Sequence, residues 1–223
     1  MASIAENLAS ISAQLPKGVR LVAVSKFHPV EELGQAYDAG QRLFGENHVQ
    51  ELVAKQPQLS ADVQWHFIGH LQTNKVRPLM PAVAMIESID SLKLLTKVSR
   101  EAVRACRTVD VLLQLHVAQE LTKTGFSVDE LQQAADQGQL TDVPGVRFCG
   151  VMGMATNTAD EAQVAREFHT IRSTFEQLKG GCFAGQNQFC EVSMCMSHDW
   201  HIAVDQGSTL VRIGTAIFGP RKY

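Results

Sequence analysis

Leu21-Val22-Ala23-Val24-Ser25-Lys26, followed directly by Phe27-His28-Pro29, decides the fold. The apolar run reads as a strand. It carries one lysine to the strand's end, where His28-Pro29 breaks it. Lysine is a poor strand-interior residue and is seldom buried. At the C-terminal end of a parallel strand it points into the crevice where such folds bind ligands. A lysine partly desolvated there can lose its proton and attack an aldehyde, forming a Schiff base. The plainer reading is a strand-end lysine that reaches solvent. The rest of the chain decides between the two.

Outward from this run, apolar strands and amphipathic helices alternate. A lead-in helix spans 5–15, with Leu8, Ile11 and Leu15 at helical spacing and Pro16 as its stop. The predicted strands are 22–25, 42–45, 64–68, 82–87, 110–117, 146–152, 188–192 and 210–213. The helices between them are 29–39, 46–55, 72–80, 91–104, 127–136, 160–178 and 198–205, and a last turn begins at Ala216. Local signals support them. Gly40 follows the first helix of the series, Ser91 is an N-cap, and Ser127 with Glu130 forms a capping box. Val164, Phe168, Ile171, Phe175 and Leu178 share one stripe of the long helix, and Pro78 sits awkwardly in 72–80. Short, mostly apolar strands separated by helices predict a parallel sheet. Eight βα units predict an α/β fold, a single (β/α)8 TIM barrel with an N-terminal lead-in helix. An open doubly wound sheet would carry fewer strands. With no linker, charge block or low-complexity tract, one domain over 1–223 is expected.

The totals narrow the class. The chain has 223 residues, 45% hydrophobic and 19% charged, with a formal net charge of -3, so no global basic field points to nucleic acid. No apolar run approaches the roughly 20 residues that span a bilayer. The start, Met1-Ala2-Ser3-Ile4-Ala5-Glu6, has an early acid and no basic segment, unlike a secretory signal. Five cysteines without a CxxC pair argue against a disulfide framework and for a reducing cytoplasm. Cys190 and Cys195 flank a strand end and read as small buried hydrophobes rather than reactive thiols.

Barrel sites lie at the C-terminal ends of strands. Those ends carry Ser25-Lys26, Gly45-Glu46-Asn47, His66-Phe67-Ile68-Gly69-His70, Glu87-Ser88, Gly150-Val151-Met152-Gly153-Met154, Ser193-Met194-Cys195-Met196-Ser197 and Arg212-Ile213-Gly214-Thr215. The last two read as an anion cup. Ser193 and Thr215 supply hydroxyls, Gly214 allows close backbone approach, and N–H groups around Gly214, Thr215 and Met194-Cys195 can converge. Ordinary turn chemistry is the plainer reading of either motif alone. Together with Lys26 they describe a phosphorylated aldehyde held at both ends, which pyridoxal 5'-phosphate (PLP) fits. Arg212 shares a strand face with Gly214. Beside a pyridine nitrogen its permanent charge opposes ring protonation and leaves the cofactor a weak electron sink. Its alternative is a phosphate or carboxylate partner at the mouth.

Other residues have modest readings. His66 and His70 are spaced HxxxH, but across a strand end and a glycine turn, so a structural role is expected and no metal site. His198, Asp199 and His201 read as surface residues. Lys123-Thr124-Gly125 lacks the glycine-rich lead of a P-loop. Lys123 reads as a solvated loop lysine, with a transient aldehyde acceptor as the sharper alternative. Glu87 reads as a site carboxylate or a salt-bridged rim acid.

Taken together, these motifs resemble the pyridoxal phosphate homeostasis (YggS/PROSC/PLPBP) family. The resemblance rests on Val22 to Lys26, Phe44-Gly45-Glu46-Asn47, Trp65-His66-Phe67-Ile68-Gly69-His70-Leu71-Gln72-Thr73-Asn74-Lys75, Gly150 to Met154, and Val211-Arg212-Ile213-Gly214-Thr215-Ala216-Ile217-Phe218-Gly219. It runs from residue 21 to 219. It implies a fold-type III PLP barrel like the N-terminal domain of alanine racemase. By the resemblance, Lys26 holds PLP as a Schiff base, Arg212 sits at the pyridine nitrogen, and Ser193, Gly214 and Thr215 hold the phosphate. Met194 then belongs to the cup, and Asn47 lies beside the cofactor. It also implies buffering or delivery of PLP, a form of vitamin B6, with effects on amino-acid and keto-acid balance and no robust catalysis. One position departs: the family commonly has glycine where this chain has Cys195. A positive φ there would strain the cysteine by about 1 kcal/mol.

Three functions compete. The first is a PLP carrier or regulator, monomeric and cytoplasmic, which hands PLP to apo-PLP enzymes. The second is a PLP-dependent amino-acid racemase. Such enzymes take an opposing tyrosine from a partner's second domain, and this chain has only Tyr37, read as exterior, and Tyr223. The third is a protein-interaction module whose PLP is structural or a signal.

Overall fold

The structure is a computed structural model that describes residues 2–120, 123–195 and 198–220. Met196, Ser197 and Tyr223, weighed above, lie outside the described residues. Eight parallel strands close into one barrel in chain order. They are β1 (Arg20–Val24), β2 (Leu43–Glu46), β3 (Gln64–Phe67), β4 (Met85–Ile89), β5 (Val109–Leu115), β6 (Val146–Gly153), β7 (Glu191–Met194) and β8 (Leu210–Ile213). The register of β1 against β8, Leu21 opposite Val211 and Ala23 opposite Ile213, closes the ring. The helices are α1 (Ile4–Gln14), α2 (Val30–Asp38), α3 (Val49–Lys55), α4 (Val76–Leu79), α5 (Leu92–Arg104), α6 (Val128–Asp136), α7 (Glu161–Gly180), α8 (Trp200–Asp205) and α9 (Thr215–Phe218). This is the expected (β/α)8 barrel with its lead-in helix.

Strand alternation sorts the apolar residues into two cores. Between sheet and helices lies a large core that includes Phe44, Trp65, Phe168 and Phe175. Inside the barrel lies a small one: Val22, Met85, Leu112, Cys149, Met152 and Leu210. Phe183 stacks on Phe189 with ring centroids 4.1 Å apart, where α7 and the segment before β7 meet. The lead-in helix is closed by a Ser3/Glu6 capping box and tied to α9 by Asn7 Nδ2 donating to the Ile217 carbonyl at 2.9 Å. The Ser127/Glu130 box and the Ser91 N-cap form as expected.

Several boundaries move, for local reasons. Residues 82–84 are not strand, because the N–H groups of Ala82 and Val83 both turn back to the Leu79 carbonyl. So β4 begins at Met85, and Glu87 lies mid-strand and fully buried rather than at the rim. Residues 188–190 are also not strand. The Phe189 N–H bonds the Gln186 carbonyl and its ring joins the aromatic stack, so β7 starts at Glu191. The expected helix 72–80 is a 3-10 turn, Thr73–Lys75, followed by the single turn of α4. Pro78 falls in the first turn of that helix, where a missing N–H costs little. Asp199, expected at the surface, is buried, because it heads α8 against the barrel while its neighbours His198 and His201 stay exposed.

Candidate functional site

At the C-terminal mouth a pocket is lined by Val24, Lys26, His28, Asn47, Ile68, Met154, Cys195, Arg212, Gly214 and Thr215. It gathers residues that follow or end six of the eight strands. The side chains of Lys26, His28, Asn47, Arg212 and Thr215 can each donate a hydrogen bond into it, and among the described residues no carboxylate lines it. Lys26, Asn47, Arg212, Gly214 and Thr215 are thus brought together as the strand-end reading expects. His28, Ile68 and Met154 were not anticipated. His28 lies two residues past Lys26, and its Nδ1 is 2.7 Å from Glu32 Oε2.

The turn that carries Lys26 is fixed from behind by a buried charge cluster. Lys55 Nζ donates to the Ser25 carbonyl at 3.0 Å, to Glu46 Oε1 at 2.8 Å and to Glu51 Oε2 at 2.9 Å. The Ser25 hydroxyl donates to Glu46 Oε1 at 2.6 Å, and the Phe27 N–H donates to Glu51 Oε2 at 2.8 Å. Phe27 takes φ 65°, the left-handed kink that turns the chain away from β1. Burial pushes the Glu46 carboxyl up, and Lys55 pulls it back only in part. Burial also opposes ionisation of Glu51, but the Phe27 N–H and Lys55 outweigh it and its pKa is lowered. This cluster escaped the sequence reading. Only the i,i+4 spacing of Glu51 and Lys55 signalled part of it. Asn47 is placed by a close approach, since a Cβ on Gly69 would fall 2.3 Å from the Asn47 carbonyl oxygen.

Arg212 enters the pocket from below. Its Nη1 donates to Ser193 Oγ at 2.5 Å and its Nη2 to the Gly153 carbonyl at 3.0 Å. Ser193 Oγ in turn donates to Glu87 Oε2 at 2.6 Å, and His66 Nδ1 holds Glu87 Oε1 at 2.7 Å. Burial opposes ionisation of Glu87, but His66, Arg212 and Ser193 together hold its pKa below the usual glutamate range. Ser193 and Met194 lie behind the lining rather than in it. The Met194 N–H is taken by Ser208 Oγ at 3.3 Å, and its side chain is fully buried. His70 pairs separately with Asp90 at 2.9 Å, so the two histidines of the HxxxH run face different carboxylates. Lys123 is not a solvated loop lysine: Ala155's carbonyl accepts from Nζ at 2.6 Å and Glu120 Oε1 at 3.0 Å. Tyr37 lies outside the barrel, its hydroxyl donating to Asp62 at 2.8 Å.

Cys195 takes φ 93°, the strained conformation that the departure from glycine made worth checking. Its thiol is fully buried, and burial pushes its pKa up to about 12 although Arg212 works against the rise. Alanine and glycine separate the two effects of this residue, because both remove the sulfur and only glycine relieves the backbone. Cys195→Gly is therefore expected to be more stable than Cys195→Ala by about 1 kcal/mol in urea unfolding, the reverse of the usual order. An alanine variant at least as stable as the glycine variant contradicts the strain.

The profile of the family described as "Alanine racemase, N-terminal domain" matches residues 1–222. A pyridoxal phosphate homeostasis protein of Pseudomonas aeruginosa is 35% identical over 100% of this chain and 98% of its own length. The chain belongs to the pyridoxal phosphate homeostasis protein family. The member from Escherichia coli K12 is 34% identical over 100% of this chain and 99% of its own. Among solved members, PipY of Synechococcus elongatus superposes with a TM-score of 0.91 without PLP and 0.88 with PLP bound. In both cases identity is 38%, with 97% of this chain and 100% of PipY covered. Alanine racemase of E. faecalis shares the fold alone, with a TM-score of 0.72 at 19% identity over 57% of its chain. Among the described residues of this family member, no helix is long and apolar enough to cross a membrane.

Proposed function

We propose that this chain binds pyridoxal 5'-phosphate at the barrel mouth and serves PLP homeostasis as a carrier or regulator without robust catalysis. The observation that carries the reading is the lining: an amine, Lys26, and a fixed guanidinium, Arg212, face one pocket with no carboxylate among the described residues that line it. That donor set suits an anionic ligand with a carbonyl and a ring nitrogen, all acceptors. PLP supplies an aldehyde that condenses with an amine and a ring that withdraws electrons from what is attached. Lys26 is the attachment point. Arg212 donates toward the ring nitrogen and, being unable to accept, favours its unprotonated form. Gly214 and Thr215 receive the phosphate, with Ser193 and Met194 supporting that cup from behind. Asn47 flanks the cofactor. The solved PipY with PLP bound supports the reading.

The racemase alternative needs an acid or base opposite Lys26. Tyr37 is turned to the outside, and among the described residues, which do not include Tyr223, no tyrosine lines the pocket. We read the chain as one domain over 1–223, acting as a cytoplasmic monomer that passes PLP to apo-PLP enzymes, with no nucleic-acid or membrane role. The net charge of -3 supports the absence of a nucleic-acid role, and no helix among the described residues is long and apolar enough to cross a membrane.

The test is to incubate the protein with PLP, reduce with borohydride and map the label by peptide mass. One label per chain on the Lys26 peptide is expected. No label, or a label on another lysine such as Lys123, overturns the assignment.

A further inference from the structure

Behind Arg212 the barrel interior holds a buried polar column, of which Glu87 and His66 have no part in PLP binding as described. Glu87 on β4 is fully buried, with both carboxylate oxygens occupied: Oε1 by His66 from β3 and Oε2 by Ser193 from β7. A serine hydroxyl has one hydrogen to give. Ser193 gives it to Glu87, so its oxygen is left to accept from Arg212 on β8. The guanidinium stands 3.6 Å from the carboxylate with the hydroxyl between them. It is a planar fork held at two points, by Ser193 Oγ and by the Gly153 carbonyl, and two points fix its plane. The remaining N–H groups of Arg212, which lines the pocket, are left for a ligand.

We propose that Glu87, held by His66 and acting through Ser193, is the positioning residue that sets Arg212 for the ligand and offsets its charge when the pocket fills. The inference rests on the PLP reading above. A ligand that enters the mouth displaces water from Arg212. A guanidinium losing its solvation there needs a nearby anion, and Glu87 is the one that faces it. Without Glu87 the fork loses its neutralising charge and Ser193 loses the acceptor that orients its hydroxyl, leaving the Gly153 carbonyl as the firm point of attachment. A carboxylate that merely filled the core would contribute to stability and leave ligand affinity alone.

The two roles separate in a double-mutant cycle of PLP affinity by equilibrium dialysis, using the full-length chain as wild type, Glu87→Gln, Arg212→Lys and the double variant. Arg212→Lys keeps the charge and removes the two-point fork. Glu87→Gln is expected to weaken PLP binding about tenfold in the wild-type background and less than about twofold with Lys at 212. The same factor in both backgrounds, or no effect in wild type, overturns the inference while leaving the PLP reading intact. A wild-type protein that takes up no PLP overturns the reading itself, and the inference with it. Should Glu87→Gln fail to fold, Ser193→Ala removes the bridge and is expected to show the same dependence on Arg212. An equal loss in both backgrounds again counts against the proposal.

Discussion

Lys55→Met is expected to destabilise the fold by about 3–5 kcal/mol in urea unfolding, because it leaves Glu46 as an uncompensated buried carboxylate. Glu46 is fully buried, and its Oε1 depends on Lys55 and Ser25, while Oε2 has no hydrogen-bond partner among the described residues. Methionine fills a similar volume, so the deficit reports charge and hydrogen bonding rather than a cavity. The sign of its pH dependence follows. Glu46 is already raised by burial, and losing the ammonium raises it further. A glutamate raised in the fold contributes nothing below its unfolded pKa and costs progressively more as pH climbs above it. The deficit is therefore expected to shrink on acidification towards the ordinary glutamate range and to grow towards neutrality. Adding Glu46→Leu is expected to recover much of the loss. A Lys55→Met deficit below about 1 kcal/mol, or one independent of pH, contradicts a buried ion pair.

Lys26→Ala is expected to abolish borohydride-stable labelling by PLP and to weaken retention about a hundredfold. The noncovalent contacts of the pocket remain, so weak, dialysable binding should survive. The fold should not suffer by more than about 1 kcal/mol. The backbone of that turn is anchored by other side chains, with Lys55 on the Ser25 carbonyl and Glu51 on the Phe27 N–H. That anchoring lets the two variants be told apart: Lys55→Met lowers stability and disturbs labelling indirectly, whereas Lys26→Ala removes labelling from an intact protein. Undiminished labelling of Lys26→Ala moves the attachment point elsewhere.

The barrel was legible because seven of the eight strands announce themselves by an apolar run closed by a charged, glycine or hydroxyl residue, the fifth being the exception. Lys26 and Arg212 were legible for the same reason, since a cation next to an apolar strand is costly unless it faces a mouth or a ligand. Boundaries were less visible. Ala82 and Val83 are as apolar as the strand they precede, and only the hydrogen bonds to Leu79 separate them from it. Placing the strand over 82–87 rather than Met85–Ile89 put Glu87 at the rim. Its true partner Ser193 is 106 residues away, a separation that no local pattern reports. Glu46 and Lys55 were hidden differently, because a charged pair on a short helix usually faces water. Cys195 was flagged only through resemblance. Nothing in its neighbours announces φ 93°.

The composition of the pocket lining also bears on what can compete for it. Free amino acids carry an ammonium group, and among the described residues the mouth offers it no carboxylate to rest on. Their carboxylate can still meet Lys26 or Arg212, so the lining withholds a partner from one end of the zwitterion and not from the other. Discrimination of this kind needs no lid and no moving part. A phosphorylated aldehyde has no ammonium to leave unpaired, so the bias between the two is set by fixed side chains.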